Sequence, residues 1–185
     1  MEIEKVVVGY LEENCYILIK DNNALVIDPG DEYEKIKEKL KGYNLKAVLI
    51  THGHPDHVGA LNDLIDEYEV PIYYNNVNEE IKYDKLIDLK EQLYIIDNFR
   101  FKVIYTPGHR NDSVVYYFNE EEIMFVGDFI FKGSIGRVDL EYSSVVNMER
   151  SIRKIKEYND EIVIYPGHGE KTTLGYEKEN NYYFK

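Results

Sequence analysis

Residues 50–60 read Ile50-Thr51-His52-Gly53-His54-Pro55-Asp56-His57-Val58-Gly59-Ala60, and no other stretch of the chain is like it. Three of the five histidines and one aspartate fall within positions 52–57. Neutral imidazole and carboxylate are the usual protein ligands of a zinc-like divalent ion. A lone histidine is more often packed or solvated than ligating. Three at this density, with Gly53 and Pro55 shaping the backbone between them, point to metal instead. The run before the cluster, residues 46–50, predicts a short buried strand. The run after it, residues 58–68, puts Val58, Leu61, Ile65 and Tyr68 on one helical face. The cluster therefore occupies a strand-to-helix loop, where side chains at the carboxyl end of a strand face a cleft.

Three further strand ends carry a candidate ligand. Thr106-Pro107-Gly108-His109 follows a strand predicted at 99–105, Val126-Gly127-Asp128 ends one at 122–126, and Tyr165-Pro166-Gly167-His168-Gly169 follows one at 162–165. Small, turn-forming residues let the backbone curl so that the ligand faces inward. All five histidines thus lie in the loop or directly after a strand-ending glycine, and none lies mid-strand or in a helix. The candidate ligands are His52, His54, Asp56, His57, His109, Asp128 and His168. That set exceeds what one tetrahedral ion takes and suits two ions sharing a bridge. The spacing His-x-His-x-Asp-His can divide between adjacent ions, and Asp128, with two oxygens, is the natural bridge.

The rest of the chain is read around that loop. Residues 3–10, 15–20 and 24–27 are apolar runs with short polar connections, which predicts an antiparallel meander stopped by Asp28-Pro29-Gly30. Tyr33, Ile36 and Leu40 have helical spacing and end at Gly42. Residues 71–74 predict another strand, and the charged stretch 78–92 a short helix with a connecting loop. Strands return at about 93–96, 99–105, 113–118 and 122–126. A helix is expected over 143–158, with Val145, Met148, Ile152, Ile155 and Tyr158 on one side, and the tail from Tyr176 has no clear assignment. Strands on either side of a helical middle suggest two sheets packed face to face with helices outside them.

Composition narrows the function classes. A chain of 185 residues fits one domain spanning 1–185, long enough to bury a core without staples. Its net charge of −13 repels phosphate backbones and argues against nucleic-acid and anionic-membrane binding. The single cysteine, Cys15, excludes an internal disulfide and suits a reducing compartment. No signal segment or membrane-span-length run is apparent, so a cytoplasmic location is expected. Eighteen tyrosines and no tryptophan suggest tyrosine as a filler of half-buried strand faces.

Taken together, Asn14-Cys15-Tyr16, Ile27-Asp28-Pro29-Gly30, the histidine loop, Thr106-Pro107-Gly108-His109, Gly127-Asp128, Gly136-Arg137 and Pro166-Gly167-His168-Gly169 resemble the metallo-β-lactamase superfamily, and more narrowly its glyoxalase II-like (hydroxyacylglutathione hydrolase-like) branch. The resemblance implies an α/β fold: a four-layer αββα sandwich of mixed sheets with helices outside, and metals at one edge. It implies that His52, His54 and His109 hold one ion, that Asp56, His57 and His168 hold the other, and that Asp128 bridges them. Asp28 matches a strand-end aspartate expected to orient the histidine loop. Arg137 matches a basic residue near the thiol substrate, whereas Cys15 is expected to be a buried small residue. Full glyoxalase II enzymes continue into a helical carboxy-terminal domain for which this chain has no room, and Arg110-Asn111-Asp112 replaces the more usual Thr-Pro-Gly.

The activity expected from the resemblance is thioester hydrolysis by a bridging hydroxide, with Asp56 as the catalytic residue orienting it, two divalent ions (zinc first, with iron or manganese acceptable) and a small acyl-thiol substrate. Alternatives are a lactone or β-lactam hydrolase, a persulfide dioxygenase with one iron, and a metal-binding module without turnover.

Overall fold

The computed structural model describes residues 1–185. A first sheet takes β1 (Glu2–Val8), β2 (Glu13–Lys20), β3 (Asn23–Ile27), β4 (Asn44–Leu49), β5 (Ile72–Tyr74) and β6 (Leu86–Asp88), in that order. The first three strands form the expected antiparallel meander, and β3 to β6 run parallel. The second sheet contains β7 (Leu93–Ile96), β8 (Phe99–Tyr105), β9 (Val114–Phe118) and β10 (Ile123–Gly127). After a small hairpin of β11 (Ile130–Phe131) and β12 (Ser134–Ile135), it is completed by β13 (Val163–Pro166) and β14 (Thr172–Thr173). Its order is β14-β13-β10-β9-β8-β7, with β10 and β13 parallel.

Side chains alternate along these strands because successive residues point to opposite faces. In β2, Tyr16 and Leu18 enter the core between the sheets, while Cys15, Ile17 and Ile19 turn outward. The inter-sheet core adds Leu25, Ile27, Phe101, Tyr116 and Phe125. The outer face of the first sheet is covered by α1 (Tyr33–Leu40) and α3 (Leu61–Tyr68) through Ile36, Leu40, Leu61 and Leu64. The outer face of the second is covered by α4 (Val145–Ile155) and α5 (Leu174–Asn180), which bring Met148, Ile152, Ile155 and Leu174 onto Ile104, Val115 and Ile164. These layers make the αββα sandwich. Cys15 is buried in the layer beneath α1, as expected of a small apolar residue.

Three local expectations are corrected. The helix expected over 58–68 is two pieces, α2 (Pro55–Val58) and α3, broken at Gly59-Ala60, and because α2 starts at Pro55 it takes in Asp56 and His57, which were expected in the loop. Gly59 presses against the turn after β3, where a Cβ would lie 2.2 Å from the Gly30 carbonyl, and Ala60 N–H donates to the Pro29 carbonyl at 2.9 Å. The turn thus interrupts the helix and seats the histidine loop. The stretch 78–92 contains no helix; it supplies β6, a three-residue edge strand too short to show a period. The tail forms α5 and a 3-10 turn, Tyr182–Phe184.

Candidate metal centre

The strand ends that carry the candidate ligands meet at one edge of the sandwich. Two tyrosines cross between the sheets to fix them there. Tyr116 on β9 donates its hydroxyl to the Ile50 carbonyl at 2.7 Å, just before the histidine loop. Tyr16 on β2 donates to the Pro166 carbonyl at 2.7 Å, just before His168. Asn14 secures the same turn: its amide side chain donates to the Pro166 and Gly169 carbonyls, both at 3.0 Å, and its backbone N–H donates to Gly167 at 2.7 Å.

All seven side chains converge. His54 Nδ1 lies 3.1 Å from His52 Nε2 and 2.9 Å from His109 Nε2, so three imidazole nitrogens face one point. Beside them, Asp56 Oδ2 lies 3.2 Å from His168 Nε2 and 3.9 Å from His57 Nε2. Asp128 stands between the two groups. Its Oδ1 is 3.3 Å from His57 Nε2 and 3.6 Å from His168 Nε2, and its Oδ2 is 3.6 Å from His109 Nε2. Such spacings are what ligand atoms each about 2 Å from a shared ion adopt.

Hydrogen bonds from the opposite ring nitrogens set the tautomers. His109 Nδ1–H donates to the Arg137 carbonyl at 2.9 Å and His168 Nδ1–H to the Leu11 carbonyl at 3.0 Å. His57 Nδ1–H donates to Asp28 Oδ2 at 2.9 Å. Asp28 also accepts the Thr51 backbone N–H at 2.7 Å and the Thr51 hydroxyl at 2.6 Å, while Thr51 Oγ1 faces His52 Nδ1 at 3.1 Å. Asp28 holds φ 50°, a left-handed conformation that aspartate tolerates better than most residues.

Charge in the centre is unbalanced without a cation. Burial opposes a proton on His57, yet Asp128 and Asp28 outweigh it and hold its pKa well above the ordinary imidazole value. Burial together with the neighbouring imidazoles of His57, His109 and His54 pushes His52 well below it, and burial and His109 push His54 down to about 4. The Asp56 carboxyl is drawn down to about 2, its burial overcome by the hydrogen bond from His168 and the charge of His57. Two carboxylates, Asp28 and Asp128, thus face the His57 ring from its two nitrogens, and, against its burial, Asp56 and Asp128 likewise raise His168. His57 Nε2 and Asp128 Oδ1 are also buried without a hydrogen-bond partner, a costly state that ligation relieves. The donor set fits divalent ions.

The centre opens into a cleft of about 520 Å³ edged by Leu11, Pro55, Arg137 and Leu140. Arg137 is on the rim, exposed, with its guanidinium paired to Asp139 at 2.8 and 3.0 Å. A larger hollow of about 670 Å³ beside α4 is lined by Ile135, Met148 and Ile152 and has no cluster of ligating groups.

Two features escaped the reading of the sequence. Glu13 is 1% exposed with both carboxyl oxygens unpartnered, and its Oε1 lies 3.7 Å from His57 Nδ1. In the sequence it falls in the polar connection between the runs 3–10 and 15–20; the fold starts β2 at Glu13 and sets its carboxyl behind His57. The second is a salt-bridged cluster of Arg110, Asp112 and Glu80 beneath Gly53. The departure from Thr-Pro-Gly at 110–112 was its only trace in the sequence.

A family model described as the metallo-β-lactamase superfamily matches residues 8–168. Among curated proteins, the hydroxyacylglutathione hydrolase GloC of Haemophilus influenzae is 32% identical, over 98% of this chain and 97% of its own. Among solved structures, the B3 metallo-β-lactamase BLEG-1 superposes with a TM-score of 0.91 at 30% identity, covering 99% of both chains. TTHA1623, solved in a di-iron-bound form, superposes at 0.85 with 31% identity, covering 97% of this chain and 99% of that one.

Proposed function

The chain belongs to the metallo-β-lactamase superfamily, and from that premise we propose that it is a dinuclear metal-dependent thioester hydrolase resembling hydroxyacylglutathione hydrolase. One observation carries the reading: two groups of ligand atoms, His52–His54–His109 and Asp56–His57–His168, flank Asp128 at the floor of an open cleft. In this reading His52, His54 and His109 would hold one divalent ion and Asp56, His57 and His168 the other, with Asp128 available to both. TTHA1623, solved with two irons, supports a pair of ions, and zinc and iron both accept these donors. A bound pair supplies hydroxide at neutral pH and a Lewis acid for the acyl oxygen.

The side chains do the rest. Asp56 sits at the cleft floor, ionised across the neutral range, with its carboxylate against His168. From there it would accept a hydrogen bond from the attacking hydroxide and turn its lone pair toward the acyl carbon, where the new carbon–oxygen bond forms. The bond from acyl carbon to sulfur breaks with its electron pair leaving on sulfur. A thiol pKa near 8.5 makes that thiolate a good leaving group without a proton donor. This suits the site, because every histidine here faces the centre. Arg137 at the rim attracts a polar substrate tail, and Leu11 and Leu140 provide apolar contact.

Similarity to GloC along nearly the full length of both chains supports the thioester. The similarity to BLEG-1 favours a second reading, β-lactam hydrolysis, in which the leaving amine requires a proton. The test is a substrate panel on the metal-loaded protein: S-D-lactoylglutathione and a neutral acyl-cysteamine thioester followed by thiol release, beside nitrocefin, an acyl lactone and oxygen uptake with a persulfide. The reading expects kcat/KM for at least one thioester about 100-fold above nitrocefin. No thiol release from either thioester refutes it.

A further inference from the structure

The two halves of the centre are supported by different parts of the molecule. Beneath the His52–His54–His109 half lies a buried cluster that the proposed chemistry does not use. Arg110 is 6% exposed and Asp112 fully buried. Arg110 Nε donates to Asp112 at 3.1 Å and Nη2 donates to Glu80 at 2.7 and 2.8 Å. Asp112 Oδ2 also accepts the Tyr74 hydroxyl at 2.5 Å and the backbone N–H of Gly53 at 3.1 Å. The ring of Tyr142 covers the guanidinium at 5.4 Å.

Gly53 is the peptide between His52 and His54. A Cβ there would lie 2.4 Å from both Glu80 Oε2 and the Tyr74 hydroxyl, so the loop presses its backbone directly onto the cluster. Arg110 also follows His109 in the chain and accepts Gly108 N–H on its carbonyl at 3.1 Å. The guanidinium–carboxylate pair therefore touches the backbone between His52 and His54, and its arginine is the residue next to His109. The Arg110 cluster touches neither support of the other half, Asp28 for His57 and the Leu11 carbonyl for His168, although Asp28 also reaches His52 through Thr51.

We infer that Arg110 is a positioning residue for the three-imidazole half alone. Its planar fork holds Asp112 against Gly53 and so fixes the approach of His52 and His54 to His109. This rests on the proposal that those imidazoles hold a metal ion. Bidentate geometry is the essential property, so lysine, which keeps the charge but lacks the fork, is the informative replacement.

The experiment titrates zinc into metal-free wild type, Arg110→Lys and Glu80→Gln. A chromophoric chelator reports affinity, and the imidazole resonances of His54, His109, His57 and His168 report which half fills. Arg110→Lys is expected to weaken zinc at the His54–His109 half by about 10–100-fold, the range for outer supports of metal ligands, with the other half changing less than about threefold. Glu80→Gln shifts in the same direction by a smaller factor, and it decides the matter if Arg110→Lys does not fold. Equal weakening of both halves, or no weakening at the first, overturns the inference. A wild type that binds no zinc at His54 and His109 removes the metal reading on which the inference stands.

Discussion

Replacing Asp28 by asparagine isolates one hydrogen-bonded junction. Asparagine matches aspartate in size and tolerates the left-handed φ of 50°. The change therefore adds no strain, which alanine would. Thr51 N–H keeps an acceptor, since Oδ1 survives. The Oδ2 position becomes an amide donor facing the Thr51 hydroxyl and His57 Nδ1–H, formerly at 2.6 and 2.9 Å. Threonine resolves the conflict by rotating its hydroxyl. His57, protonated on both ring nitrogens in the metal-free wild type, resolves it only by giving up the Nδ1 proton and keeping the one on Nε2, the nitrogen 3.3 Å from Asp128. A hydrogen bond to a charged group contributes about 1.5–3 kcal/mol, and metal binding must now reverse the tautomer at about that cost. Zinc affinity at the Asp56–His57–His168 half should fall about 10–100-fold, the His52–His54–His109 half much less. Chelator competition measures both halves, and long-range proton–nitrogen correlation of the metal-free protein reads the tautomer directly. If Asp28→Asn keeps the proton on Nδ1, or binds zinc like the wild type, the junction does not set the orientation of His57.

Three other outcomes are expected. Burial pushes the Glu13 carboxyl well above its ordinary value of 4.5; His57 opposes and Asp28, Asp128 and Asp56 add to the rise. The unfolded chain therefore loses that proton first as pH rises. Stability declines above about 4.5 by up to about 1.4 kcal/mol per pH unit, and Glu13→Gln should lessen the decline in urea melts of metal-free protein at pH 5 and 7.5; parallel curves would exclude it. Removing metal with a chelator should lower Tm by roughly 10–20 °C, since two ions at about 100 times their Kd contribute roughly 5 kcal/mol and each kcal/mol shifts a domain of this size by about 2–4 °C; an unchanged Tm would contradict metal binding. Arg137→Ala should raise KM about 3–10-fold with kcat nearly constant, because the guanidinium edges the cleft while the carbonyl that orients His109 is retained. An unaltered KM would take Arg137 out of substrate binding.

Much of this protein was readable before folding because its chemistry is written in short local signals. Ligand type, and the glycine or proline that turns each strand end inward, are neighbours in the chain; alternation along β2 or β8 shows which side chains enter the core. No helix is long and apolar enough to cross a membrane, in keeping with the absence of such a run in the sequence. Short signals fail where the partner is remote. The break at Gly59 exists because Gly30, 29 residues earlier, packs onto it, and β6 exists because β5 offers it an edge. Glu13 sits behind His57, and Glu80 reaches Arg110 across 30 residues. The sequence determined which side chains are suited to grip metal and that strand ends present them. Tertiary structure alone decided what stands behind each imidazole, because those contacts join residues that share no local pattern.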